Sequence, residues 1–170
     1  EYKEEGGLHV FSGNMSFEGA ANVRHTSWSA VFDASTGALS VYEAGGMALM
    51  EEPLMPCSAR AAAENDLGAG QDKRQSIWRN AEFKTASFDV TMTDSCYVVE
   101  AVYEPIAEAA SVKMRYEVYA DGAVAVTESM TDAGKLSDAP MLPRFGICFA
   151  MDGAFSTFEF FGLGPEENYI

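Results

Sequence analysis

Val112-Lys-Met-Arg-Tyr-Glu-Val-Tyr119, the turn Ala120-Asp-Gly122 and the return Ala123-Val-Ala-Val-Thr-Glu-Ser-Met130 decide the fold class of this chain. Val112, Met114, Tyr116 and Val118 alternate with Lys113, Arg115 and Glu117. Successive side chains on a strand point to opposite faces, so this run has one apolar face and one charged face. Asp121-Gly122 supplies a tight return, and Val124 and Val126 resume the alternation on the far side. The stretch predicts a half-buried antiparallel hairpin.

The same signature recurs on both sides of it. Trp28–Phe32 alternates, Asp33-Ala-Ser-Thr-Gly37 turns the chain, and Ala38–Tyr42 alternates again, a second hairpin with Gly37 at the position that needs a positive φ angle. Cys96–Tyr103 is rich in Val and Tyr, as strands are, and Phe83–Met92 shows a weaker alternation. Phe145–Met151 and Phe155–Phe161, separated by Asp152-Gly153, read as a further strand pair. Glu64–Gln71 and Thr131–Pro143 are turn-rich connections. Helix is expected only briefly, at Ala59–Ala63, where alanines favour it. Short strands with regular turn signals and no internal repeat predict an all-β antiparallel sandwich, one domain over residues 1–170.

Composition narrows the partners. The chain carries 26 acidic and 11 basic residues, a net charge of −15, whereas nucleic-acid binding needs clustered cations to displace counterions from phosphates. That field repels a polyanion and an anionic membrane alike, and a neutral sugar is nearly indifferent to it. No apolar run reaches the roughly 20 residues of a membrane span. Glu1 opens the chain without a signal-peptide pattern, which leaves the compartment open with the cytoplasm slightly favoured. Cys57, Cys96 and Cys148 are widely spaced with no CxxC pair, which reads as small hydrophobes buried in a sheet rather than a disulfide framework.

Three stretches resemble one family, in the same order. Val31-Phe-Asp-Ala-Ser-Thr-Gly-Ala-Leu-Ser40 is similar to the hairpin that opens the C-terminal region of family 2 β-galactosidases. Arg60-Ala-Ala-Ala-Glu-Asn-Asp-Leu-Gly68 resembles that family's RAPxDND.G segment. Pro143-Arg-Phe-Gly-Ile147 and then Phe160-Phe-Gly-Leu-Gly-Pro-Glu-Glu-Asn-Tyr169 complete the set, the decapeptide resembling the W(Y/L)GxGPxENY motif. The central hairpin Tyr116–Val124 fits as well, so the resemblance spans nearly the whole chain.

The resemblance implies an antiparallel supersandwich of the galactose mutarotase-like kind, of which this chain would be the N-terminal part. It implies partners too: the catalytic barrel, the rest of the sandwich, and galactose or a β-galactoside in the complete enzyme. No cofactor is implied in this chain; magnesium or sodium, where the complete enzyme uses them, belongs to the barrel. A sandwich cut short leaves strand edges unpaired, and such edges recruit other chains, so self-association is expected. The departures are Ser58 and Ala59 in place of an aromatic pair, Ala62 in place of proline and Glu64 in place of aspartate. Small residues there put packing against a neighbouring barrel in question.

Retaining galactosidases use two carboxyl groups roughly 5 Å apart, one nucleophile and one acid/base. In the resembled family both are glutamates of the barrel. Glu166 and Glu167 are neighbours, as are Glu51 and Glu52, and neighbours on a strand point apart rather than flanking one bond. No catalytic residue is therefore expected in this chain. Gly162-Leu-Gly-Pro165 lacks the Lys-Ser/Thr ending of a phosphate loop; Gly162, Gly164 and Pro165 instead shape a bend that Glu166, Asn168 and Tyr169 would hold against the sandwich, beside Arg60 in the other motif.

Asn65 and Asp66 offer oxygens to sugar hydroxyls or a hard cation, or else are turn residues bonding their own backbone. By resemblance, Gly68–Gln71 belongs to a mobile loop near the sugar pocket, which makes Asn65, Asp66 and Gly68 candidate substrate-rim residues. Trp78, just after that loop, reads either as a sugar platform or as core; Trp28 reads as core. His9 and His25 have no partner at a metal-ligand spacing. Two other functions compete with a supporting role in a galactosidase. A carbohydrate-binding module would need an aromatic platform, and a mutarotase-type epimerase would need a His and a Glu across a pyranose.

Overall fold

In a computed structural model, which describes residues 1–18, 23–157 and 159, eleven strands and three short helices follow one another in the chain. The strands are β1 (Tyr2–Glu5), β2 (Leu8–Glu18), β3 (Val23–Asp33), β4 (Ala38–Ala44), β5 (Met47–Ala48), β6 (Glu52–Pro56), β7 (Thr85–Met92), β8 (Cys96–Tyr103), β9 (Ala110–Tyr119), β10 (Val124–Asp132) and β11 (Ile147–Ala150). Between β6 and β7 lie α1 (Glu64–Gly68), α2 (Gln71–Arg74) and α3 (Ser76–Arg79), and a single 3-10 turn, Leu136–Asp138, precedes β11.

Two antiparallel sheets result. The first runs β1-β2-β3-β4-β6-β11, with β5 added to β4; the second runs β10-β9-β8-β7. The chain leaves the first sheet after β6, crosses through the helices, builds the whole second sheet and returns as β11 beside β6. The predicted hairpins at β3–β4 and β9–β10 are both present, with Val118 opposite Val124 and Tyr116 opposite Val126 in the latter.

Strict alternation becomes strict burial on β9. Ala110, Val112, Met114, Tyr116 and Val118 are buried and their neighbours are half-exposed. On the outer face Lys113 meets Glu100 at 2.5 Å, and Arg115 reaches Glu100 and Glu117 at 3.3 and 3.0 Å. Ion pairs this exposed contribute little, and the apolar face supplies the stability, roughly 1.5–3 kcal/mol for each large side chain removed from water. The sheets meet through aromatic rings: Phe32 of β3 packs edge-on against Tyr116 of β9 with centroids 4.9 Å apart, and Phe11 of β2 lies 5.2 Å from Tyr97 of β8.

Two glycines fix the approach of the sheets. Gly37 has φ +68, and a Cβ there would stand 2.8 Å from the Ala101 Cβ of the second sheet. Gly122, φ +89, lies against the Trp28 indole, where a Cβ would come within 2.9 Å of Cγ. The Gly122 carbonyl accepts a 2.6 Å hydrogen bond from the Tyr42 hydroxyl of the first sheet.

Four expectations are corrected. Ala59–Ala63 has no regular structure, and the helices begin at Glu64, inside the segment read as a turn-rich connection. The strand near Phe145–Met151 is confined to Ile147–Ala150 and pairs with β6 instead of with a strand at 155–161. Residues 155–157 are not strand, and residues 158 and 160–161 lie outside the described residues. Cys148 stands exposed because β11 is an edge strand, whereas Cys96 is buried and Cys57 half-buried. Strands β1, β2, β5 and β6 had no sequence expectation. β6 is hidden by Pro53 and Pro56, which donate no ladder hydrogen bond and argue against a strand when read alone.

Candidate functional site

The segment that carries most of the candidate residues is the helical crossing between the sheets. Its first turn is organised by one carboxylate. Asp66, third residue of α1, accepts a 2.9 Å hydrogen bond from the Ala63 N–H, satisfying a donor at the helix start. Ala63 has no side-chain oxygen to return the favour, so half a capping box is present. Arg60 closes over the same carboxylate as a fork: Nη1 donates to Oδ2 at 2.6 Å and Nη2 to Oδ1 at 3.1 Å, while Nη1 also reaches the Ala61 carbonyl at 3.0 Å. The Arg60 hydrogen bonds first, and the Ala63 N–H second, hold the Asp66 carboxyl below the usual carboxylate range.

This geometry separates the candidates. Both Asp66 oxygens are engaged, and the guanidinium beside them offsets the charge that would draw a cation. Asp66 therefore acts on α1, and Arg60 acts through Asp66. Asn65 and Gly68 stand on the exposed side of α1, with Leu67 57% exposed between them. Glu64 is exposed as well, its charge at the helix start where the backbone dipole favours it.

Trp78 is anchored beneath. It is 1% exposed, its indole Nε1 donates to the Pro140 carbonyl at 2.7 Å, and its own carbonyl accepts from the buried Ser58 hydroxyl at 2.7 Å. In this arrangement its ring faces are covered by protein, so it packs as core and presents no surface to a sugar. Ser58, which replaces an aromatic of the resembled pattern, ties the strand leaving β6 to α3. Gln75 is buried beside them. The result is a short helical platform riveted to the sandwich on one side and exposed on the other. Its exposed side carries an amide, a glycine and a leucine.

Two further features escaped the sequence reading. Glu128 lies on β10 in phase with Val124, Val126 and Met130, on the inward-facing side of the hairpin and opposite Met114. Burial pushes its carboxyl up to about 7. The period-2 pattern contained that signal: a carboxylate in a series of valines is the exception that alternation makes visible. The second feature is a cleft of about 270 Å³ between the β2–β3 end of one sheet and the β7–β8 turn of the other. Its walls include Phe11, Trp28, Tyr97 and Tyr119, with Thr93 and Asp94 among the polar groups. Trp28 is 5% exposed, and its indole N–H has no hydrogen-bond partner among the described residues.

His9 is buried on β2, sharing a 2.8 Å hydrogen bond between Nδ1 and the Tyr2 hydroxyl and lying 4.8 Å from the Phe88 ring. His25 is exposed on β3, bonded to Ser16. Gly162, Gly164, Pro165, Glu166, Asn168 and Tyr169 lie outside the described residues.

Comparison with known proteins supplies the context. A β-galactosidase of Halalkalibacterium halodurans is 26% identical over 99% of this chain, and one of Priestia megaterium is 29% identical over 89%. One of Clostridium acetobutylicum is 33% identical over 65% of the chain. The chain spans only 17%, 15% and 12% of the length of these three relatives. Residues 24–170 match the family described as the β-galactosidase small chain. With a match over most of its length, the chain belongs to the β-galactosidase small chain family.

Proposed function

We propose that this chain is the non-catalytic sandwich portion of a β-galactosidase-like glycoside hydrolase, bracing the catalytic barrel and shaping the rim of its sugar site. The two sheets would then be the N-terminal part of a galactose mutarotase-like supersandwich, completed by the remaining strands of the parent protein. The reading rests above all on the platform at Glu64–Arg79. It is a polar, short-helical crossing that the fold holds with a forked ion pair and two hydrogen bonds on Trp78, while Asn65 and Gly68 face outward. Residues that face out from a fixed base suit a pocket rim, where groups must be held before a sugar arrives.

The test has two arms. The chain alone should not hydrolyse an aryl β-galactoside; turnover at enzyme-like rates, free of host enzyme, would sink the proposal. In the complete enzyme, Asn65→Ala should raise KM several-fold with the fold intact, and an unchanged kcat/KM would remove Asn65 from the rim.

A carbohydrate-binding reading is favoured by one observation, the aromatic-walled cleft. Its size suits part of a small ligand, and aromatic walls suit the apolar face of a sugar ring. Calorimetric titration of the chain with galactose and lactose distinguishes the two readings. Saturable heat supports a binding module, and its absence at high millimolar sugar leaves the supporting role.

A further inference from the structure

We propose that Cys57 and Cys148 form an oxidisable clasp, closing as a disulfide that ties the edge strand β11 to β6. The two cysteines are far apart in sequence and the fold brings them together. β11 pairs antiparallel with β6, Cys148 opposite Met55 and Ile147 opposite Pro56. The ladder runs one residue past β6, because the Cys57 N–H donates to the Gly146 carbonyl at 2.6 Å. Cys57 therefore stands across from Gly146, and Cys148, two residues farther along β11, shares its face of the sheet. The Cys57 thiol donates to the Ala59 carbonyl at 3.4 Å, and its nearness, with burial, pushes the Cys148 thiol up.

Three further features suit closure. Gly146 has no side chain to occupy the space across from Cys57. Diagonal neighbours sit past the usual disulfide reach, so closure needs strand movement, which a short edge strand suits. Strand β11 is four residues long, lies at the sheet edge, and carries a bulge between Cys148 and Ala150. Reagents can also reach the pair, since Cys148 is exposed and Cys57 half-buried. Cys96 is buried at the start of β8 with its thiol against Thr93, and serves as an internal control.

The oxidant class is a low-molecular-weight disulfide. The Cys148 thiolate attacks one sulfur of glutathione disulfide, forming a mixed disulfide and releasing one glutathione thiolate. The Cys57 thiolate then attacks the Cys148 sulfur, forming the intramolecular bond and releasing the second. The protein loses two electrons and two protons, and glutathione disulfide becomes two glutathione thiols.

The experiment is oxidation of the full chain by glutathione disulfide at about pH 8, followed by alkylation, trypsin and mass spectrometry without reduction. The three cysteines fall in different tryptic peptides, residues 25–60, 85–113 and 145–170. The expected result is a monomer with peptides 25–60 and 145–170 linked, Cys96 alkylated, and free thiols falling from three to one per chain. Dithiothreitol should reverse it. Cys57→Ser, with folding checked by circular dichroism, should stop at a mixed disulfide on Cys148. Mixed disulfide as the end state in the unsubstituted chain, or a bridge between two chains, overturns the proposal.

Discussion

The β9–β10 hairpin and the β6–β11 pair are both antiparallel ladders, yet they hold together for different reasons. The hairpin joins neighbouring segments through a tight turn, in unbroken register from Val118–Val124 to Ala110–Asp132, and buries the apolar face of β9 completely and that of β10 in part. The β6–β11 pair joins segments separated by the entire second sheet, includes two prolines, and shifts register after Cys148. A local ladder needs little loop-closure entropy and its apolar alternation specifies its register. A distant one must wait for the rest of the molecule and is held by what surrounds it. The difference teaches where stability resides and where it is thin.

The largest expected effect comes from breaking the strong member. Tyr116→Ala empties a fully buried site between the sheets and should cost about 3–5 kcal/mol, read as a fall in the urea midpoint. Loss of less than about 1 kcal/mol would mean that the hairpin core is not the stability centre. Gly37→Ala tests the contact between the sheets. With φ +68 and Ala101 2.8 Å from the added carbon, about 2 kcal/mol of destabilisation is expected.

Glu128→Gln removes the hairpin's inward-facing charge. The folded carboxyl titrates near 7, above its unfolded range, so the folded state binds the extra proton. Stability should therefore be highest below the unfolded pKa and fall as pH rises through about 7. Glutamine should stabilise the chain by about 1 kcal/mol at pH 8, allowing for solvent screening of a half-exposed group, and change little at pH 4.5. Tyr103, Tyr116 and Cys148 lie in the field of this carboxylate but are uncharged over this range, so burial sets the profile. Thermal melts at the two pH values check it, and equal gains at both would remove the titration as cause. The smallest effect belongs to the weak ladder. Phe149→Ser on β11, 47% exposed, should move stability by less than about 0.5 kcal/mol. In the same molecule β11 amides should exchange with deuterium far faster than those of β9.

The same contrast explains what could be read before folding. Val112, Met114, Tyr116 and Val118 announced their strand because period-2 burial is a local property. β8 was legible for the same reason, from Cys96 to Tyr103. β6 was not, since Pro53 and Pro56 cancel the local signal and its partner β11 lies across the second sheet. The helix start was misplaced by about a turn: alanine propensity favoured Ala59–Ala63, but Asp66 caps at Ala63 and Arg60 is drawn out of regular structure to reach it. At the candidate site, the link between Arg60 and Asp66 lay within one quoted motif, though their pairing was not read from it. The sequence left Trp78 open between platform and core, because the carbonyl that holds its indole belongs to Pro140, on the far side of β7 to β10.

Gly122 has an evolutionary consequence. A tight turn by itself tolerates asparagine or aspartate at a left-handed position, and drift among those residues would be neutral. Here the same residue is the floor beneath the Trp28 ring. Two filters act on one codon: backbone handedness and the volume of a single carbon. Substitutions that satisfy the first fail the second, so relatives that keep a tryptophan at the Trp28 position should show glycine here almost without variation, while those with a smaller residue there should be free to drift.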